Sequence, residues 1–315
     1  MRGRLVFVIV GVLAMSACAA LHPPGIASGP RVASPIPTST PSASTIQLSV
    51  SATAVWALVD YLELYRSTDQ GSRWGNFSIP EQFGVRPVVS FIDVHEGWLL
   101  APGSPTTQCQ DANAAVWHTT DAGKTWRQLA ATGIASAQCK NGIWFADAKR
   151  GFVSAWDDRH AATIYRTSDG GTTWNAAPLL PNPPNYQSAH GGAGWRVMWI
   201  KSFGSNSYIG PMGTPYIFES TDGGESWKWV TKTPTANVVL VTPSRWLDFS
   251  DPDHLTESLN GGQAFGPFKS DFNSVGAGAT QVVFADKIGY ASSDLGLQRT
   301  TDGGTHWDMI KTSWP

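Results

Sequence analysis

The sequence predicts an all-β fold of six small sheets, and three observations carry that prediction. Fifteen Trp, 32 Gly and 21 Pro accompany only 15% charged residues in a chain of 315. That balance suits short strands and tight turns better than amphipathic helices with charged outer faces. One octet recurs as STDQGSRW (67–74), TTDAGKTW (119–126), TSDGGTTW (167–174), STDGGESW (220–227) and TTDGGTHW (300–307), with a degraded copy, SLNGGQAF (258–265). The copies stand about 40 to 50 residues apart, a period at which self-similarity signals arrays closed around an axis. Apolar runs flanking the octets supply four strands per unit, and six units too small to bury their own faces protect their edges by closing into a ring. The expected architecture is a six-bladed β-propeller with four-stranded antiparallel blades and the octets as hairpin turns.

Residues 1–17 read as an export signal. Arg2 and Arg4 precede LVFVIVGVLAM, a run too short for a comfortable membrane span. It ends in Met15-Ser16-Ala17-Cys18, which resembles the lipobox of bacterial lipoproteins. The resemblance implies lipidation of Cys18 and anchorage at the extracytoplasmic face of a cell membrane; an ordinary secretory signal cut near Ala17 or Ala20 is the alternative. Residues 18–45 hold Pro23, Pro24, Pro30, Pro35, Pro37 and Pro41 among Ser, Thr and Ala. Such a stretch cannot bury enough apolar surface to offset its ordering entropy and reads as a tether. The propeller is assigned to 46–315.

Its units follow in order. The first is IQLSVSATAVWALV with LYRST. The second is VVSFID, GWLLA, AVWHTT and TWRQL, and the third IWFAD, GFVSAW, TIYRTS and TWNAA. VVLVTPSRWLDFS with HLTESL makes a looser fifth unit, and QVVFAD, IGYASS, LGLQRTT and HWDMI the last. Within each octet the third residue (Asp69, Asp121, Asp169, Asp222, Asn260, Asp302) is expected to accept backbone N–H groups a residue or two on. The fifth-position Gly suits positive φ. Trp74, Trp126, Trp174, Trp227, Phe265 and Trp307 then open the fourth strand and pack over the hairpin. The octet thus answers a folding need.

This Ser/Thr-x-Asp-x-Gly-x-x-Trp pattern resembles the Asp-box, or BNR repeat, of sialidases, sortilin-type receptors and the photosystem II stability/assembly factor family. The resemblance covers roughly residues 46 to 312. Recurrent F-x-D followed by Gly-aromatic (Phe91 to Trp98, Phe145 to Phe152, Phe284 to Tyr290) is more similar to the assembly-factor group. Sialidases also need three convergent arginines, a Tyr/Glu pair and an acid Asp, with an Arg-Ile-Pro motif ahead of the first box. Here Val85-Arg86-Pro87 follows it instead.

In such a ring the octets lie on one side and function falls to the other. The opposite face collects second-to-third-strand loops (about 101–114, 157–162, 202–215, 251–254 and near Asp294) and interblade loops (about 79–87, 131–141, 177–195 and 266–279). Cys109 and Cys139 fall in these two sets beside the second blade, which favours a disulfide stiffening the face over two free thiols. Candidate binding residues there are Asp157, Asp158, Arg159, His160, Tyr186, His190, Asp251, Asp253 and His254, with Arg86 near. Tyr186, Tyr208 and Phe268 are expected as exposed contact anchors, and His95, His118 and His306 as half-buried strand residues.

Two Asp and a His close in sequence suggest a divalent ion, but the runs lack a ligand framework and no metal or other cofactor is expected. A net charge of −2 leaves no basic stripe for nucleic acid. No nucleophile elbow, phosphate loop or zinc spacing is present. The reading is a non-catalytic, membrane-anchored envelope scaffold that docks a protein or glycan. The alternative is an extracytoplasmic, sialidase-like glycoside hydrolase using Asp157, Asp251 or Asp253.

Overall fold

The computed structural model describes residues 45–80, 86–103, 109, 112–157, 162–184, 186, 195–251, 253–272, 281–293, 296–312 and 314. Cys18, the signal and most of the tether lie outside the described residues, as do Asp158, Arg159, His160 and His190.

Six antiparallel sheets each contain four consecutive strands. Blade one is β1 (Ile46–Val50), β2 (Val55–Val59), β3 (Glu63–Ser67) and β4 (Gly75–Phe77). Blade two is β5 (Val88–Phe91), β6 (Gly97–Ala101), β7 (Ala115–Thr119) and β8 (Arg127–Gln128). Blade three is β9 (Cys139–Phe145), β10 (Gly151–Trp156), β11 (Thr163–Thr167) and β12 (Asn175–Ala176). Blade four is β13 (Val197–Phe203), β14 (Asn206–Pro211), β15 (Tyr216–Ser220) and β16 (Lys228–Lys232). Blade five is β17 (Val238–Leu240), β18 (Trp246–Asp248), β19 (Thr256–Ser258) and β20 (Gly266–Pro267). Blade six is β21 (Gln281–Ala285), β22 (Ile288–Ser293), β23 (Gly296–Thr300) and β24 (Asp308–Met309). The chain is a six-bladed β-propeller, as its repeats predict.

Burial follows position in the blade. Every residue of β2 and β6 is buried, because neighbouring blades cover both faces of a second strand, whereas β8, β12 and β24 are exposed rim strands. This is why second strands such as VWALV and GWLLA read as continuous apolar runs instead of alternating ones. Six apolar clusters form, one at each blade-to-blade junction. Aromatic stacking registers the junctions: Phe91 lies on Trp56 at 3.7 Å and Phe145 on Trp98 at 3.6 Å.

The recurrent Phe…Gly spacing now has its cause. Phe91, Phe145 and Phe284 face Gly97, Gly151 and Gly289 across the first hairpin of their blades. Each ring fills the space a Cβ would need; one at Gly97 would stand 2.2 Å from Phe91.

The octets are hairpin corners with one shared hydrogen-bond scheme. The leading hydroxyl donates to the third-position side chain and accepts the N–H of the fifth-position Gly. In the third blade these distances are 2.8 Å (Thr167 Oγ1 to Asp169 Oδ1) and 3.0 Å (Gly171 N to Thr167 Oγ1). Asp169 Oδ1 in turn accepts the N–H of Thr173 at 2.9 Å. The same reach of four residues recurs from Asp69, Asp121, Asp222, Asn260 and Asp302, longer than the one or two expected. The fifth-position Gly is at positive φ in all six copies, between 76° and 99°. Trp74, Trp174 and Trp307 clamp the corner by donating Nε1–H to that Gly carbonyl. Trp126 bonds Ser78 O instead, and the buried Trp227 Nε1 has no partner among the described residues. Thr167→Val keeps the shape but removes the hydroxyl, leaving Gly171 N–H unpaired. It is expected to cost about 1–3 kcal/mol in urea unfolding, against at most about 0.5 kcal/mol for Thr172→Val on the exposed side of the same turn.

Several expectations are corrected. The 202–215 loop does not exist as such, because Gly204 and Ser205 form a tight turn and β14 occupies 206–211. Tyr208 is therefore a buried strand residue, 5% exposed and bonded to Glu219 at 2.8 Å, and no surface anchor. Phe268 packs onto the blade five/six cluster. Cys139 opens β9 and so ends its loop early. His118 is half-buried as expected, bonded to Glu96 and stacked on Trp98. His95 and His306 are exposed, since both sit in corner turns where side chains point to water.

Candidate functional site

Every first strand runs the same way, so the interblade connections and the second-to-third-strand connections emerge together on one loop face. Cys109 and Cys139 are joined there by a disulfide, Cα to Cα 4.9 Å. Beside it Lys140, only 4% exposed, donates to the carbonyls of Ala112, Ala137 and Gln138 at 2.8–3.0 Å. Disulfide and ammonium stitch the same two connections, one covalently and one through three hydrogen bonds. Burial lowers the Lys140 amine to about 8. Nothing in the sequence marks Lys140 beyond its position in an alternating strand.

Of the predicted face residues, Tyr186 packs against Trp195 and Tyr216. Close by in the chain, Arg196 stacks over Trp156 and reaches Met212 Sδ at 3.7 Å. Trp156 ends β10, Arg196 precedes β13, Met212 follows β14 and Tyr216 opens β15, so all lie at the loop-face ends of blades three and four. Met212 is 46% exposed. The aromatic and Arg composition is that of interface centres. Sequence reasoning passed over Trp156, Trp195, Arg196 and Met212 because each sits at a strand end, indistinguishable there from core.

The described acidic candidates form no metal-type cluster. Asp251 Oδ1 accepts the N–H of Asp253 and Oδ2 bonds His254 Nδ1 at 2.9 Å, closing its own turn. The His254 bond lowers the Asp251 carboxyl, the wrong direction for a general acid at neutral pH. Asp157 follows β10, two blades away. Among the described residues no three His, Cys, Asp or Glu side chains cluster as a metal site requires.

The ring encloses a central cavity of about 530 Å³ that reaches the loop face at Tyr61, Asn237 and Ser250. First strands of all six blades line it, and their polar side chains tie blade to blade. Gln47 Oε1 accepts Val89 N–H (3.0 Å), Asn141 Nδ2 donates to Val197 O (2.9 Å), and Gln281 brackets Leu48 N and O (2.6 and 3.1 Å). Lys201 spans further: its Nζ reaches past the three-residue β17 of blade five to Phe284 O of blade six at 2.7 Å.

The octet carboxylates lie on the opposite face and serve the fold. The Arg73 side chain holds Asp69, and the Thr125 side chain Asp121, at about 2. In Asp302, partial burial pushes upward but bonds from His306 N–H and Nδ1 win, again giving about 2. Asp169 and Asp222 are also lowered. A carboxyl depressed in the folded state stabilises it above the unfolded value of about 3.9. The corner carboxyls are therefore expected to contribute fully above about pH 5, and thermal stability to fall steadily from about pH 4 to pH 2, read as Tm across that series. A flat profile would contradict this role for the corners.

No family model matches the chain. A curated xyloglucanase of Paenibacillus sp is 28% identical over 154 residues, 43% of this chain. The match spans only 15% of that enzyme's length. A solved structure of YCF48 bound to D1 peptide superposes with a TM-score of 0.51 at 15% identity, covering 82% of this chain and 77% of that one. YCF48 from Cyanidioschyzon merolae gives 0.49 at 17% identity, covering 87% and 88%. At such identities the likeness is one of fold.

Proposed function

We propose that the chain is a non-catalytic, extracytoplasmic scaffold, lipid-anchored through Cys18, whose Asp-box propeller docks a protein segment on its loop face. The observation that carries the reading is the Trp156, Tyr186, Trp195, Arg196, Met212 and Tyr216 patch beside disulfide-stiffened connections. Rigid aromatics and a stacked guanidinium supply contact area at small entropic cost. That a propeller of the YCF48 fold holds a peptide is consistent with this use. The lipobox and tether, read from sequence, would hold the folded part off the membrane.

Capture is expected to fail when Met212→Glu and Trp195→Ala are introduced, with wild-type chain retrieving the partner from solubilised envelopes. Leu259→Glu, 67% exposed on the octet face, is expected to leave capture intact. Equal capture by all three would count against the loop face.

The xyloglucanase similarity motivates a second reading, an envelope glycoside hydrolase. It is the poorer one, because Asp251 is committed to its own turn, bonded to Asp253 N–H and His254. Turnover of a xyloglucan-derived fluorogenic glycoside, abolished by Asp157→Asn or Asp253→Asn, would reverse the order.

A further inference from the structure

The two lysines that burial affects most are treated differently by the fold. An ammonium has three donor hydrogens. Lys140 places one on each of three carbonyls and is complete. Lys201 has one described hydrogen bond, to Phe284 O, with the Phe203 ring 5.5 Å from its Nζ. No described carboxylate lies within ion-pair distance of it. Its register partner Tyr208 is engaged by Glu219, and Glu219 by Lys228 at 2.9 Å. The groups around Lys201 are thus already paired with one another.

Lys201 lines the central cavity, and the rest of the lining sharpens the contrast. Among the described lining residues it is the only cation, none is acidic, and Tyr61 is the only other titratable side chain. The amides of Gln47, Asn141 and Gln281 are already bonded to backbone. Trp144, Trp199, Phe249 and Met198 offer ring and thioether surface. A volume of about 530 Å³ falls in the range of small-molecule sites, in which apolar walls and one or two polar groups fix the ligand. Desolvation lowers the Lys201 amine to about 8, so its positive form lacks compensation that an anion beside it would restore.

We propose that the central cavity binds a small organic carboxylate with an aromatic body, the Lys201 ammonium supplying the counter-charge and the cavity rings the stacking surface. This site is separate from the docking patch, and neither reading depends on the other.

Calorimetric titration of the full chain with naphthalene-2-carboxylate, against 2-naphthamide as the neutral isostere, tests it. At pH 7 the carboxylate is expected to bind one to one and at least tenfold tighter than the amide. Lys201→Met is expected to abolish that preference and Lys201→Arg to retain it. Between pH 7 and 9.5 deprotonation of Lys201 is expected to weaken the carboxylate and leave the amide unchanged, in wild type and in Tyr61→Phe alike. Tyr208, raised to about 12, does not titrate in this window. Equal affinity for acid and amide, no saturable binding, or a preference that survives in Lys201→Met would overturn the proposal. If Lys201→Met does not fold, an acid preference constant from pH 7 to 9.5 in wild type would overturn it as well.

Discussion

Trp98→Ala is expected to lower the unfolding free energy by about 3–5 kcal/mol, the range for emptying a fully buried aromatic site. Trp98 is 0% exposed, lies flat on Phe145 at 3.6 Å and stacks on His118 at 4.7 Å. Its Nε1 also crosses to the third blade's octet, donating to Gly170 O at 2.9 Å. The substitution therefore opens a void and cuts a strap between blades at once. Trp126, half-buried in the octet of the same blade and packed at that blade's other junction, with blade one, is the control. Its replacement by Ala is expected to cost less than half as much, by urea unfolding with an unchanged m-value. Equal costs would mean that full burial and the strap to Gly170 add nothing beyond what a half-buried octet aromatic supplies.

Trp314→Ala is expected to be comparably damaging, about 3–5 kcal/mol, through a different joint. Trp314 is 5% exposed and packs on Tyr65 at 4.6 Å and edge-on to Trp74 at 4.8 Å, bringing the end of the chain against blade one. It belongs to the cluster shared by blades six and one, with Tyr290 and Leu297. Amide exchange in β1 and β22 is expected to quicken first, before that of β9 to β11. A uniform rise across all blades would show that Trp314 adds bulk stability without fastening this joint.

The ring was legible because its repeating unit is local. Each octet writes its turn in eight letters, with Gly at the φ that needs it and a hydroxyl that folds back on its own corner. Second strands declare burial on both faces by apolar runs. Blade four blurred because NSYIGP carries Asn, Ser, Gly and Pro, turn-forming types, yet Tyr208 and Ile209 are buried within it. The functional face was less legible, for its chemistry is assembled across blades. Arg196 meets Trp156, and Lys201 meets Phe284, 83 residues apart. No short window contains either pair. The acidic runs that stood out in sequence were conspicuous for being local, and Asp251 with His254 proved to be a turn closing on itself.

Each sheet is drawn from one uninterrupted stretch of chain, and the first and last are held together by Gln281, Arg299 and Trp314 without exchanging a strand. Which blade is translated first is then an accident of gene order that the geometry does not record. A circular permutant joining the two ends of the propeller and reopening between β8 and β9 should reach the same shape. Duplication or loss of a whole blade would be the natural route by which such a ring changes its size.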